Sequence, residues 1–349
     1  MSEAKKIRVL IVEDSALMRQ LLTAIFQEDP AFEVVATAAD PLIARQKIKA
    51  LQPDVLTLDV EMPHMDGITF LEKLMRLHPM PVVMISSLTQ RNAEATLRAL
   101  ELGAVDFVTK PANGIRDHLS ELADEIRTKV RMAAAARIRV ATEDSTTSIP
   151  AATAVNTGTA TSKGIIAIGA SAGGTQAIMA ILRNLPADMP GIAIVQHMPP
   201  KFTALFAEHL NRSCALDVRE ATDGEKLMPG MARVAPGGRQ MALARESGGY
   251  VLRVYDGPAV NLHRPSVDVL FHSVAKMAAT KTMGVLLTGM GSDGAQGLKA
   301  MHTAGALTVA QDEASSVIFG MPDQAIRLGA AREVLALERI AERIKRWSA

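Results

Sequence analysis

The chain opens with short, nearly continuous apolar runs separated by stretches of helical periodicity: IRVLIV at 7–12, EVVATA at 33–38, DVLTLDV at 54–60, PVVMISS at 81–87 and DFVTKP at 106–111. A strand covered on one face alternates apolar and polar residues, whereas a strand covered on both faces loses the alternation. The first 110 residues therefore predict five parallel strands with helices between them, a doubly wound α/β domain of the flavodoxin-like kind. The same signal returns in GIIAIGA (164–170), GIAIVQH (191–197), MGVLLTGM (283–290) and ALTVAQD (306–312), which predicts a second, mainly parallel α/β domain of Rossmann-like build. Within it LDVREATDG, MARVAPGG and YVLRVYDG are short alternating runs ended by Gly, the pattern of an antiparallel insertion.

Between the two, residues 141–162 (ATEDSTTSIPAATAVNTGTATS) are dominated by Ser and Thr without periodicity and read as a flexible linker. The domain limits that follow are 1–125, a helix end and linker over 126–162, and 163–349. The last amphipathic stretch, LERIAERIKRW at 337–347, is expected to pack on its own domain. No repeat of fixed period is visible.

Composition narrows the function classes. A length of 349 residues suits two domains, and 48% hydrophobic with 21% charged residues is enough to build a core in each. The balance of 38 basic against 37 acidic side chains, with only 3% aromatics, argues against nucleic-acid binding. Cys214 stands alone, so neither an intramolecular disulfide nor a cysteine zinc site is expected, which suits a reducing cytoplasm. No apolar run approaches the roughly 18 residues of a bilayer span, so membrane insertion is not expected.

Two groups of residues carry chemistry. Glu13 and Asp14 follow the first strand, Asp59 ends the third, Ser86 lies near the end of the fourth and Lys110 ends the fifth. In a doubly wound sheet these positions share the carboxyl edge, where ligands bind. Converging carboxylates there hold a hard divalent cation such as Mg²⁺, and Lys110 with Ser86 can neutralise and hydrogen-bond a phosphoryl group. Any one of these charges alone reads as a solvated loop residue. The second group begins at GASAGG (169–174), a G-x-S-x-G match that puts Ser171 at a strand-to-helix turn. The glycines alone fit a phosphate or dinucleotide loop almost as well, but the next strand ends in Gln196-His197 rather than the acid that would bind ribose. His197 is a proton acceptor for a nucleophilic Ser, and Asp293 in TGMGSDG is placed to orient the imidazole or, alternatively, to cap the helix after it. Backbone N–H groups at Ala172, Gly173 and Met290 are the oxyanion candidates.

Taken together, LDVEMPHMDG (58–67) with Glu13-Asp14, Ser86 and Lys110-Pro111 resembles the receiver domains of response regulators. That resemblance implies phosphorylation of Asp59 by a histidine kinase, Mg²⁺ held by Asp14, Asp59 and the Glu61 backbone carbonyl, an assisting role for Glu13, and a switch pair of Ser86 and Phe107. Glu13 stands where the family more often has Asp, and Ser86 where it has Thr; each keeps its functional group. The second half, through QHMPPKFTALFAEHL (196–210), HRPSVDVLF (263–271) and TGMGSDGAQG (288–297), resembles the catalytic domain of the chemotaxis protein-glutamate methylesterases. It implies a Ser171–His197–Asp293 esterase acting on methyl-accepting chemotaxis receptors, with glutaminase activity besides, needing no cofactor for the ester step and autoinhibited by the unphosphorylated receiver. Ala172 replaces a common Thr beside the nucleophile, and Gln240 replaces a common His. The competing readings are a phosphorylation-controlled binding module without turnover and a nucleotide-dependent enzyme using the 169–174 loop.

Overall fold

In the first domain, residues alternate between strands buried on both faces and helices started by side-chain caps. The strands are β1 (Ile7–Val12), β2 (Phe32–Ala38), β3 (Val55–Asp59), β4 (Val82–Ser87) and β5 (Asp106–Lys110), interleaved with α1 (Ala16–Gln27), α2 (Pro41–Leu51), α3 (Gly67–Leu77), α4 (Gln90–Glu101) and α5 (Leu119–Ala134). The side chains of Ser15, Asp40, Asp66 and Thr89 accept hydrogen bonds from the first-turn N–H groups of α1 to α4, which satisfies donors that a helix start otherwise leaves open. This computed structural model describes residues 5–63, 65–87, 89–110, 119–138, 164–247, 249–277 and 281–349. The stretch read as a linker, 141–162, lies outside the described residues.

The sheet order is β2-β1-β3-β4-β5, all parallel. β1 therefore lies where the strand order reverses, and Glu13 and Asp14 leave the sheet beside the end of β3. Such a reversal opens a crevice at the carboxyl edge.

The second domain is built on the same principle. Its strands are β6 (Ile165–Ala170), β7 (Gly191–Gln196), β8 (Asp217–Glu220), β9 (Met231–Val234), β10 (Gln240–Glu246), β11 (Gly249–Tyr255), β12 (Thr282–Leu286), β13 (Leu307–Gln311) and β14 (Glu333–Leu335). Its helices are α6 (Gly174–Leu182), α7 (Phe202–Ser213), α8 (Val267–Lys276), α9 (Ala295–Thr303), α10 (Met321–Arg327) and α11 (Leu337–Ser348). Seven strands form a parallel sheet of order β14-β13-β12-β6-β7-β9-β8, and β10 with β11 forms an antiparallel hairpin. The antiparallel insertion is thus this hairpin alone. LDVREATDG and MARVAPGG instead supply β8 and β9, which pair parallel to each other at the sheet's edge. Alternating burial reports one covered face, and an edge strand of a parallel sheet has that pattern too. β14 is only three residues long, too short to stand out as a strand signal.

The two domains pack directly. α4 lies against α6 and α7, and buried residues of both domains join in one apolar cluster. The Phe107 ring from β5 meets the Phe202 ring at the start of α7 at 4.4 Å between centroids. Polar contacts flank this apolar centre: Gln176 donates to the Leu100 carbonyl, His209 pairs with Glu101 at 2.6 Å, and Arg137 pairs with Glu313 at 2.7 Å. α11 packs on α6 of its own domain. Among the described residues no helix is long and apolar enough to cross a membrane.

Candidate active site

β6 is the strand at which the second sheet's order reverses, with β7 on one side and β12 on the other. Ser171 follows β6, His197 follows β7 and Asp293 lies in the loop after β12, so three neighbouring strands deliver one residue each to a single edge. The Ser171 turn is held from both sides. Its N–H donates to the Thr288 carbonyl at 3.0 Å, and its carbonyl accepts from Gly174 N–H at 2.7 Å and from the Gln196 side-chain amide at 2.9 Å. Gly173 takes φ of 74°, a left-handed conformation that glycine adopts without strain. Gly169, the other glycine of the motif, serves packing: a Cβ there would lie 2.2 Å from Val267.

Asp293 is 1% exposed and accepts from five donors. His197 Nε2 lies at 2.8 Å, Asn261 Nδ2 at 2.8 Å, Ser266 Oγ at 2.7 Å, and the backbone N–H groups of Val267 and Asp268 at 2.6 and 3.2 Å. Burial works to raise this carboxyl's pKa, but the hydrogen bonds from His197, Asn261 and Ser266 and the His197 charge hold it well below the usual carboxylate range. The two N–H donors belong to the first turn of α8, not to the helix that follows Asp293. α9 begins at Gly294 without a side-chain cap, and its Gly297 N–H donates at 2.6 Å to Asp268, on α8. Each helix start is thus served by a carboxylate near the start of the other, with Asn261 bridging to Asp268 at 2.7 Å. Orienting His197 and receiving a helix start are therefore combined in one carboxylate, and the helix is α8.

His197 spends Nε2 on Asp293, and among the described residues its buried Nδ1 has no hydrogen-bond partner. With Nε2 taken, Nδ1 is the ring nitrogen that remains open to a proton. The His263 ring lies parallel to the His197 ring, 3.7 Å between centroids and 13° between planes. Burial and the neighbouring His197 push His263 down to about 4, with a further contribution from Lys129 on α5 of the first domain. His263 is thus a neutral slab against the His197 imidazole. The N–H groups of Ala172, Gly173 and Met290 carry no hydrogen bond among the described residues. Gly289, beside Met290, packs so closely that a Cβ there would lie 2.7 Å from the Ser171 Cβ. Met290 itself is 41% exposed and lines a cleft of about 560 Å³ together with Arg131, Met132 and Ala135 of the first domain.

Several of these residues carried no signal of their own in the sequence. Asn261 sits in a loop without a motif, while His263 and Ser266 lie inside HRPSVDVLF (263–271), a segment that marks the resemblance without giving either residue a role. Gln240 is 1% exposed and clamps that loop: its amide donates to the carbonyls of Pro258 and His263 at 2.9 and 3.2 Å and accepts from Ser266 N–H at 2.9 Å.

The first domain gathers the other group. Glu13, Asp14 and Asp59 bring carboxylate oxygens within 4.8 Å of one another. Lys110 Nζ lies 2.9 Å from Glu13 and 3.0 Å from Asp59. Burial and the Asp59 charge raise Glu13 to about 7 against the pull of Lys110. Burial likewise raises Asp59, against Lys110 and the N–H groups of Val60 and Glu61. Negative charge in excess of one lysine, on hard oxygen donors, fits a divalent cation such as Mg²⁺. Asp14 and Glu61 line the adjoining cleft of about 720 Å³. Ser86 is fully buried, one residue past Ile85, the strand partner of Asp59, and Phe107 is turned inward against Phe202.

A family model described as CheB methylesterase matches residues 166–344, and one described as response regulator receiver domain matches residues 9–122. A protein-glutamate methylesterase/protein-glutamine glutaminase of Yersinia pestis bv. Antiqua is 56% identical over 97% of this chain and 96% of its own. The protein of the same name from Salmonella typhimurium is likewise 56% identical, with the same shares covered. Among solved structures, the CheB methylesterase catalytic domain of Thermotoga maritima is similar at a TM-score of 0.51 and 38% identity, over 52% of this chain and 97% of that one.

Proposed function

The chain belongs to the CheB methylesterase family and carries a response regulator receiver domain, and from that premise we propose that it hydrolyses methyl esters of glutamate side chains on methyl-accepting chemotaxis receptors. The observation that carries this reading is the convergence of Ser171, His197 and Asp293 at one sheet edge, with the Asp293–His197 bond of 2.8 Å already formed. His197 Nδ1 takes the Ser171 proton as Oγ bonds to the ester carbonyl carbon. The carbonyl oxygen becomes an oxyanion facing the N–H groups of Ala172, Gly173 and Met290, each worth about 10² to 10³ in rate. His197 then returns the proton to the leaving methoxide, and methanol departs. A water deprotonated by His197 cleaves the acyl-enzyme, releasing glutamate. A receptor glutamine enters the same sequence with ammonia as the leaving group.

The receiver supplies control. A histidine kinase phosphorylates Asp59, and Asp14, Asp59 and the Glu61 carbonyl would hold the Mg²⁺ that offsets phosphoryl charge. Glu13 assists by neighbouring charge, and Lys110 pairs with the phosphoryl oxygens. Ser86 and Phe107 pass the change on: Phe107 leans on Phe202, five residues beyond His197. The unphosphorylated receiver restrains the esterase, a reading supported by Lys129, whose charge reaches His263, and by Arg131 and Met132 beside Met290. The work is done in the cytoplasm, with receptor and kinase as partners and neither nucleic acid nor membrane insertion involved.

The test is methanol release from radiolabelled methylated receptor membranes, with and without acetyl phosphate plus Mg²⁺, for wild type, Asp59→Asn and Ser171→Ala. Release should rise with the phosphodonor, stop responding in Asp59→Asn and vanish in Ser171→Ala. Near-normal release by Ser171→Ala removes the nucleophile assignment.

A further inference from the structure

The turn at 260–263 is closed by two reciprocal backbone hydrogen bonds, Val260 N–H to the His263 carbonyl at 3.1 Å and His263 N–H to the Val260 carbonyl at 2.9 Å. Its two central residues both have positive φ, 50° at Asn261 and 68° at Leu262. A two-residue turn of this hand favours Asn followed by Gly, because a Cβ at the second position is strained. Asn261 obeys the rule. Leu262 breaks it twice over, since it is strained in the backbone and 95% exposed in the side chain, more than any other large apolar residue described. Neither property helps the protein fold.

The neighbours on both sides explain where this side chain is presented. Asn261 is tied to Asp293 at 2.8 Å and to Asp268 at 2.7 Å. His263 is stacked on His197, and Gln240 holds the His263 carbonyl from below at 3.2 Å. The leucine is therefore fixed at the rim of the triad. Strain retained in an over-determined turn beside reacting groups is characteristic of a ligand contact. We propose that Leu262 is a substrate-contacting residue that grips an apolar side chain next to the esterified glutamate on the receptor. A receptor segment that brings its ester to Ser171 runs across the rim of the triad, where Leu262 stands. This assignment rests on the esterase reading and adds a specificity element to it.

The experiment uses the full-length protein with acetyl phosphate and Mg²⁺, comparing wild type with Leu262→Gly and Leu262→Met. Leu262→Gly suits the turn better than Leu does, so its fold is kept. Two rates are measured: methanol release from methylated receptor membranes and covalent labelling of Ser171 by a small fluorophosphonate. Leu262→Gly should raise KM for receptor about 10-fold, the order expected from losing partial burial of one leucine, with kcat and the labelling rate within about 2-fold of wild type. Leu262→Met should restore KM. An unchanged KM overturns the assignment, and so does a labelling rate that falls in step with receptor turnover, which marks a purely structural role. Absence of methanol release by wild type overturns the esterase reading itself, and the Leu262 assignment with it.

Discussion

The two carboxyl-edge sites stand in opposite electrostatic states. At Asp293 every lone pair that the fold can reach is satisfied: five donors converge, and the carboxyl is held ionised. At Asp59 the fold leaves the charge unbalanced, with three carboxylates gathered, one lysine pairing with two of them, and Glu13 pushed up to about 7. At the first, donors fixed in advance hold the carboxylate in one state without reorganisation. The second leaves hard oxygen donors in excess of positive charge, which suits a divalent cation. Helix starts show the same division. Those of α1 to α4 in the first domain are closed by Ser, Asp and Thr side chains, whereas α6 and α9 beside Ser171 and Asp293 begin after Gly173 and Gly294 with no side-chain cap.

The strongest way to break this contrast is to unbalance the finished site. Asp293→Asn should lower receptor demethylation by roughly 10⁴ in kcat, because the amide no longer holds His197 in the required tautomer; single-turnover methanol release reads it. Next comes the cost of the His263 stack. With the folded pKa near 4 against 6.5 in the unfolded chain, the unfolded state binds more protons between those values. Stability should therefore be complete above pH about 6.5 and fall as pH drops towards 4, by on the order of 3 kcal/mol. Urea titrations of wild type and His263→Gln across that window check it, the variant losing part of the slope.

At the open site, Asp59→Asn should abolish the rise in esterase rate on phosphodonor, an effect of about 5- to 150-fold if the domain coupling has the usual size. The smallest expected change tests the contact between domains. Glu101→Gln removes the charge that pairs with His209 and should raise unphosphorylated activity by roughly 2- to 5-fold, the scale of one partly exposed ion pair. A basal rate unchanged by Glu101→Gln would remove that pair from the restraint.

Much of both sites was legible along the chain. Glu13, Asp59 and Lys110 are separated by dozens of residues, yet each closes or follows an apolar run, and parallel strands bring such ends together wherever the sheet reverses order. Ser171, His197 and Asp293 follow the same logic on β6, β7 and beyond β12. What escaped were contacts from elements without a periodic signal. Gln240 begins a hairpin strand, and only the folded loop brings the carbonyls of Pro258 and His263 to its amide. β8 and β9 looked like hairpin strands because burial pattern is insensitive to direction. The helix served by Asp293 was mistaken for its chain neighbour because α8 and α9 exchange their carboxylates across space.

By itself, the order of residues determined the two parallel α/β domains and which side chains stand at the strand ends of each carboxyl edge. Those follow from local periodicity and from the rule that ligands gather at the carboxyl edge. Tertiary structure alone decided which His197 nitrogen faces Asp293, that His263 is kept neutral against it, that Phe107 meets Phe202, and that Leu262 stands strained and bare beside the triad. The physical reason is range: hydrophobic period is a property of neighbours along the chain, while hydrogen bonds, ring stacks and desolvation act between groups that only folding brings within a few ångströms.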